Sequence, residues 1–256
     1  MANKTIERRV RNDSNKIRKF KNVYLGKRCF IIGNGPSLCM KDLDVLSENN
    51  EYSFGSNGIH LAFNQTKWRP TFYTLCDCKA LSEWYDDISR IDAQYKFISD
   101  LAYASYNLPL HKGVNVFRLI EKKHYPFCPD FSPDVSQFIG NSYTVTYISM
   151  QIAAYMGFSA IYLLGMDHNY SKHKDENGNV VKSDAKDYFI ENYSPSNKTG
   201  MSRLYLCDKA FSKTEIYSRF HGFRVYNATR GGKLEVFERI NFDNIKFQQE
   251  WGFMHE

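Results

Sequence analysis

Two short apolar runs, each broken by a glycine, constrain the fold more than anything else in the chain. Arg28-Cys29-Phe30-Ile31-Ile32 stops at Gly33, and Ala160-Ile161-Tyr162-Leu163-Leu164 stops at Gly165. A short run without polar alternation is what a strand buried on both faces of a parallel sheet requires. Runs at 52–56, 71–75, 95–98, 114–119 and 223–226 predict further strands, each followed by polar or turn-forming residues. From 144 to 157, Val145, Ile148, Ile152, Ala153 and Met156 recur at helical spacing, and Gly157 supplies a stop. A short helix is expected at 38–46, with Pro36 at an early helical position where its missing N–H costs nothing. Strands alternating with helices predict an α/β fold, a mostly parallel sheet with helices on both faces.

Two segments stand outside this rhythm. Residues 1–28 hold ten Lys/Arg against Glu7 and Asp13, so most of the net charge of +6 lies there and the remaining body is near neutral. Residues 1–25 therefore read as a basic, polar leader helix with little core-facing stripe, of a kind that lies in solvent or against phosphate-rich membrane or nucleic acid. Residues 26–256 read as a single domain. The near-neutral body speaks against nucleic acid as a partner. The stretch 169–207, rich in Lys, Asp, Asn, Ser and Gly with interleaved Tyr188, Phe189 and Tyr193, is expected to be an inserted lid. No apolar run is long enough to span a bilayer and no signal-type h-region appears, so the expected location is cytoplasmic, at the inner face of the membrane if the leader binds there. The scattered cysteines, among them the Cys76/Cys78 pair and Cys128, suit free thiols better than a zinc site.

Chemistry concentrates behind the strands. In a parallel sheet, ligands bind beyond the carboxyl ends of the strands. That rule singles out Gly33-Asn34-Gly35-Pro36-Ser37, then Asn57, Asp77 and Gly165-Met166-Asp167. A glycine loop leading into a helix offers N–H groups to phosphate. The loop lacks the third glycine of the dinucleotide fingerprint, and Asn57 stands where an acid would receive ribose. Nor is there a Gly-Lys-Ser/Thr of the Walker kind. Asp77 and Asp167 are candidates to hold a hydroxyl, a base or Mg²⁺, although an Asp behind a strand commonly caps a helix. His168 is a candidate general base near neutral pH, with Asp167 beside it and His173 just beyond. His124 and the other histidines show no metal-ligand spacing.

The blocks Gly26-Lys27-Arg28-Cys29-Phe30-Ile31-Ile32-Gly33-Asn34-Gly35-Pro36-Ser37-Leu38, Trp68-Arg69-Pro70-Thr71-Phe72-Tyr73, Tyr162-Leu163-Leu164-Gly165-Met166-Asp167 and Asn227-Ala228-Thr229 with Gly231-Gly232 resemble the bacterial MptE-like group, named for hydroxymethylpterin diphosphokinase. The first and third blocks are similar to the small bacterial sialyltransferases. The resemblance implies a Rossmann-like nucleotide domain with a lid. It places a CMP-linked sugar on Asn34, Gly35, Ser37, Asn57, Gly140, Asn141 and Ser142, with Asp77 where that family has an asparagine. It puts Tyr188 where the family carries a lid histidine, with Tyr188 or Tyr193 bonding the leaving phosphate. The expected function is glycosyl transfer from a nucleotide donor, CMP-linked by preference, to a glycan or lipid-linked surface-polysaccharide acceptor. The alternatives are an ATP- and Mg²⁺-dependent diphosphokinase acting on a pterin-like hydroxymethyl compound, and a non-catalytic nucleotide-binding module. No cofactor or metal ligand is assigned; Mg²⁺ is left open, above all under the diphosphokinase alternative.

Overall fold

The structure, a computed structural model, describes residues 2–121, 129–193 and 201–247; His124 and Cys128 lie outside these. Its centre is an eight-stranded sheet. One half runs outward from β1 (Arg28–Ile32) through β2 (Ser53–Ser56), β3 (Phe72–Leu75), β4 (Tyr95–Ser99) and β5 (Val114–Phe117). The run expected at 114–119 divides, because β6 (Leu119–Ile120) leaves the sheet to pair with β7 (Ile139–Gly140). The other half adds β8 (Ala160–Leu164), then, beyond an antiparallel hairpin of β9 (Lys172–Lys174) and β10 (Val180–Lys182), β11 (Arg224–Asn227) and β12 (Glu238–Arg239). All pairings in the large sheet are parallel. Strand addition reverses direction between β1 and β8, so their carboxyl ends form the switch point at which open α/β sheets bind ligands.

Both faces are covered, as the unbroken apolar runs require. On β1, Cys29 and Ile31 turn to one core and Phe30 and Ile32 to the other. The first core is closed by α5 (Val145–Tyr155) and α6 (Leu204–Phe220); the second by α2 (Met40–Glu48), α3 (Cys78–Glu83) and α4 (Asp100–Ser105). Thr144 caps α5 by accepting from Thr146 N, which fixes where that helix starts. Helix α2 begins later than expected: Cys39 is its N-cap and Pro36 stays in the loop. Helix α6 escapes a hydropathy reading because two of its buried positions are Thr214 and Ser218. Their hydroxyls bond back to Ala210 O (3.0 Å) and Glu215 O (2.8 Å), so they enter the interior already satisfied.

The basic N-terminal segment is a helix, α1 (Ala2–Arg18), but it has the core-facing stripe it was expected to lack. Ile6, Val10, Asp13 and Ile17, at spacings of four, three and four, are all buried. Ile6 and Val10 join one core and Ile17 the other, so α1 straddles the edge strand β5 and closes both layers there. The stripe was hidden by Asp13, a fully buried acid. Its carboxylate accepts from Val116 N (2.9 Å), Arg9 Nε and Lys16 Nζ (2.7 Å), while the Arg9 guanidinium also donates to Val114 O. Asp13 thus answers an edge-strand N–H that would otherwise be open. Asp13→Ala should lower stability by about 3 kcal/mol by stranding Val116 N–H and the Arg9 charge together. Urea denaturation checks this, and Lys16→Ala, which removes an exposed partner only, should cost less than about 1 kcal/mol.

Burial also holds three histidines below their ordinary pKa of 6.5: His60, His111 and His168. His111 shows the consequence most clearly. Its Nε2 faces Tyr85 O (2.8 Å) and must donate, so Nδ1 accepts from Tyr103 Oη (2.9 Å), a network only the neutral ring can make. The unfolded chain takes up protons that the fold refuses, so stability is complete above about pH 6.5 and falls as pH drops below it. Thermal denaturation from about pH 7.5 to about pH 5.5 should show this decline, and His111→Gln should flatten part of it.

Candidate functional site

The loops behind β1 and β8 lock together at the switch point. Gly33 N donates to Leu164 O (2.7 Å) and Gly35 N to Gly165 O (3.0 Å). A Cβ on Gly33 would stand 2.3 Å from Gly165 O, and one on Gly35 2.0 Å from the Asp167 carboxylate. Glycine is required here for loop-to-loop approach. Asp167 Oδ2 accepts from Ser37 Oγ (2.7 Å) and Ser37 N (3.2 Å). Of the loop's N–H groups expected to face phosphate, those of Gly33, Gly35 and Ser37 are bonded within the chain, and Pro36 has none. Asp167 is in turn braced from behind. Lys233 N donates to Asp167 O (2.7 Å), and Met166 N to Thr229 Oγ1 (3.0 Å). Buried Asn227 holds Thr229 N and Leu234 O. The block Asn227-Ala228-Thr229 and the Gly231-Gly232 turn therefore support the Gly165-Met166-Asp167 loop.

What the loops leave open is side-chain chemistry. Asn34 Nδ2 donates to Ser56 O (3.2 Å), which fixes the amide's orientation and leaves Oδ1 buried with no partner among the described residues. Asn57, at φ +49°, has a buried Oδ1 in the same condition, and Ser142 Oγ makes a third. These atoms lie on the loops after β1, after β2 and before α5. The last of these is built by buried Gln151, whose amide bonds Ser132 N, Gly140 N, Gly140 O and Tyr147 O. Gly140 admits no side chain, since a Cβ would meet Asp130 O at 1.9 Å. Asn141 Oδ1 accepts from Ser142 N (2.8 Å) and shapes the turn, and Tyr143 follows at φ +41°. An unsatisfied buried polar group costs about 1–3 kcal/mol, and three at one sheet end mark where a ligand's hydrogen bonds would be welcome.

The segment expected to be a lid is docked over this crevice. Phe189 N donates to Asn34 O (3.0 Å) and Gly58 N to Tyr193 Oη (2.9 Å). Tyr193 is buried, edge-on to Trp84, and stacks on Tyr188 with ring centroids 3.9 Å apart. Burial, then the charges of Asp187, Asp77 and Glu83, push the Tyr188 phenol up to about 12. It is therefore a hydrogen-bond donor at neutral pH and no base. Tyr170, which the sequence gave no reason to select, sits among these groups: burial raises its pKa, with Tyr188, Cys207, Asp187 and Asp167 adding to it. Asp77 does the capping job, accepting from Ala80 N (2.8 Å) at the start of α3.

His168 turns toward α6. Its Nε2 meets Asp208 Oδ1 at 2.7 Å, and its ring lies edge-on to Phe211. A carboxylate can only accept, so Nε2 carries the proton and Nδ1 keeps the lone pair of a base. Burial lowers its pKa against the opposing pull of Asp208, leaving the ring neutral near pH 7. Asp208 could not be foreseen without α6, which presents it.

Among the described residues, no group of three or more His, Cys, Asp or Glu is placed to hold a metal ion, and Asp77 and Asp167 are separately engaged. No described helix is long and apolar enough to cross a membrane.

No curated protein sequence matches the chain. Among solved structures, the MAf glycosyltransferase from Magnetospirillum magneticum AMB-1 is similar over 93% of this chain and 39% of its own, with TM-score 0.54 and 16% identity. The likeness is one of fold, and this chain spans well under half the length of that protein. The sequence model described as 6-hydroxymethylpterin diphosphokinase MptE-like matches residues 3–173, about two thirds of the chain, through both interlocked loops and the edge helix. The chain belongs to the MptE-like family.

Proposed function

We propose that the chain is a nucleotide-dependent glycosyltransferase that takes its sugar from a CMP-linked donor and passes it to a surface-polysaccharide acceptor. The observation that supports this best is the set of buried atoms Asn34 Oδ1, Asn57 Oδ1 and Ser142 Oγ at the carboxyl end of the sheet, which have no partner among the described residues. The two carbonyl oxygens accept from the hydroxyls of a ribose or the amino group of a base, and the serine hydroxyl completes the set. In the reaction, an acceptor oxygen attacks the anomeric carbon and the bond to the phosphate oxygen breaks. The acceptor's proton goes to His168 Nδ1, held in the basic tautomer by Asp208, and the phosphate charge is met by the protonated phenol of Tyr188. Asp167 is then a positioning residue for the Ser37 loop.

The family's description supports a second reading, diphosphate transfer from ATP to a hydroxymethyl compound. That chemistry uses Mg²⁺ on carboxylates, and the two best-placed aspartates here are occupied by Ala80 N and by Ser37. The residues present fit the first reading better.

Thermal-shift measurements should show stabilisation by CMP without added metal. Asn57→Gly keeps the positive φ and removes the amide, so it should weaken CMP binding about tenfold with little change in the melting temperature of the free chain. His168→Asn should retain CMP binding and cut turnover of a CMP-sugar, hydrolysis included, by about a hundredfold or more. Stabilisation by ATP with Mg²⁺ alone would transfer the site to the second reading. Binding of CMP without any turnover would leave a nucleotide-binding module.

A further inference from the structure

A second recess lies at the other end of the sheet. It is a pocket of about 500 Å³ against α1 and the amino ends of β4 and β5, lined by Arg9, Lys16, Lys19, Phe20, Tyr24 and Tyr95, among others. Three cations and no acid contribute to its wall. Asp13, the nearby carboxylate, is fully buried and shared between Arg9, Lys16 and Val116 N–H, so it offsets one of the three positive charges and leaves the wall cationic. The rest of the wall is aromatic and aliphatic. Val23 of the lining is 57% exposed, and Leu25, two residues further along the chain, is 73% exposed, both large apolar side chains held out into solvent. The outer face of α1 carries the exposed cations Lys4, Arg8, Arg11 and Arg18, with Glu7 the one exposed acid.

We propose that this pocket seats the anionic headgroup of a membrane phospholipid and docks the chain peripherally on an anionic bilayer. A soluble phosphate would use the cations but not the apolar rim. A bilayer interface uses both, drawing the Lys/Arg face to its surface charge and taking Val23 and Leu25 into the headgroup boundary. The stem of a lysine lies along apolar surface while its ammonium reaches out, which suits Lys16 and Lys19 to a mixed wall of this kind. The pocket is at the amino ends of the strands and the nucleotide crevice at their carboxyl ends, so docking here leaves the crevice open. The proposal does not rest on the transferase reading.

Co-sedimentation of the full chain with vesicles tests it. The chain should pellet with vesicles of phosphatidylcholine and phosphatidylglycerol in equal parts and stay in solution with phosphatidylcholine alone. The double variant Lys16→Glu/Lys19→Glu should weaken binding at least about tenfold. Val23→Ser/Leu25→Ser, which changes only exposed side chains, should weaken it several-fold. Lys4→Glu/Arg8→Glu alters the same helix outside the pocket and should have the smaller effect of the two charge reversals. Circular dichroism and CMP affinity should stay unchanged in all three variants, separating loss of docking from loss of fold or of the crevice. Equal binding to both vesicle types, no binding to either, or equal effects of the two charge reversals would overturn the proposal. Full displacement from anionic vesicles by glycerol phosphate at matched ionic strength would also overturn it, in favour of a soluble ligand.

Discussion

The contact between Asp167 and Ser37 organises this molecule. It joins the loops behind β1 and β8, the two strands between which the sheet changes its direction of growth. A parallel sheet leaves a cleft at such a point. Here the cleft is partly filled by the protein itself, with two glycine N–H groups donating across it and a carboxylate behind them. Everything else near the site depends on the join. Lys233 N, just past the Gly231-Gly232 turn, holds Asp167 O from behind while Thr229 holds Met166 N, and Phe189 of the lid is fastened to Asn34 in the loop after β1. An added methyl on Gly33 or Gly35 would collide with backbone or carboxylate oxygens that have no room to give way.

The sheet was legible because its strands are short apolar runs ending in glycine or polar residues, a pattern that burial on both faces imposes directly. The positions of the candidate site were legible, since the carboxyl-end rule selects the loops containing Asn34, Asn57 and Asp167, which the fold places at or beside the switch point. What was hidden were the places where a polar residue does a buried job. Asp13 breaks the apolar stripe of α1 because it answers Val116 N–H, and Thr214 and Ser218 blur α6 because their hydroxyls are satisfied inside the helix. Missing α6 meant missing Asp208, and with it the reason His168 is oriented. Tyr170 has no sequence signal, as its surroundings exist only once the lid segment is folded back.

The two ends of the sheet differ in electrostatic character. At the amino ends of β4 and β5, lysines and an arginine stand over an aromatic wall, with the compensating acid sealed beneath them. At the carboxyl ends the candidate groups are amides, hydroxyls, phenols and a neutral imidazole, and the nearby carboxylates of Asp77, Asp167 and Asp208 are engaged by Ala80 N, Ser37 and His168. A basic N-terminal segment and a near-neutral body thus correspond to two surfaces, one suited to anionic charge and one to directional hydrogen bonds.

That distinction bears on where the phosphate of a nucleotide would sit. Against the glycine loop it would meet the Asp167 carboxylate and N–H groups of Gly33, Gly35 and Ser37 that are already bonded, so these three donors are not free to receive it. On the lid side it would meet Tyr188, a donor at neutral pH, with Tyr193 stacked against it, although the charges of Asp187, Asp77 and Glu83 also lie near that phenol. The nucleoside would then lie along Asn34, Asn57 and Ser142, with the phosphate turned toward the tyrosines. In that arrangement the glycine loop does not grip the phosphate. It shapes the floor on which the nucleoside rests, and the Asp167–Ser37 contact keeps that floor rigid.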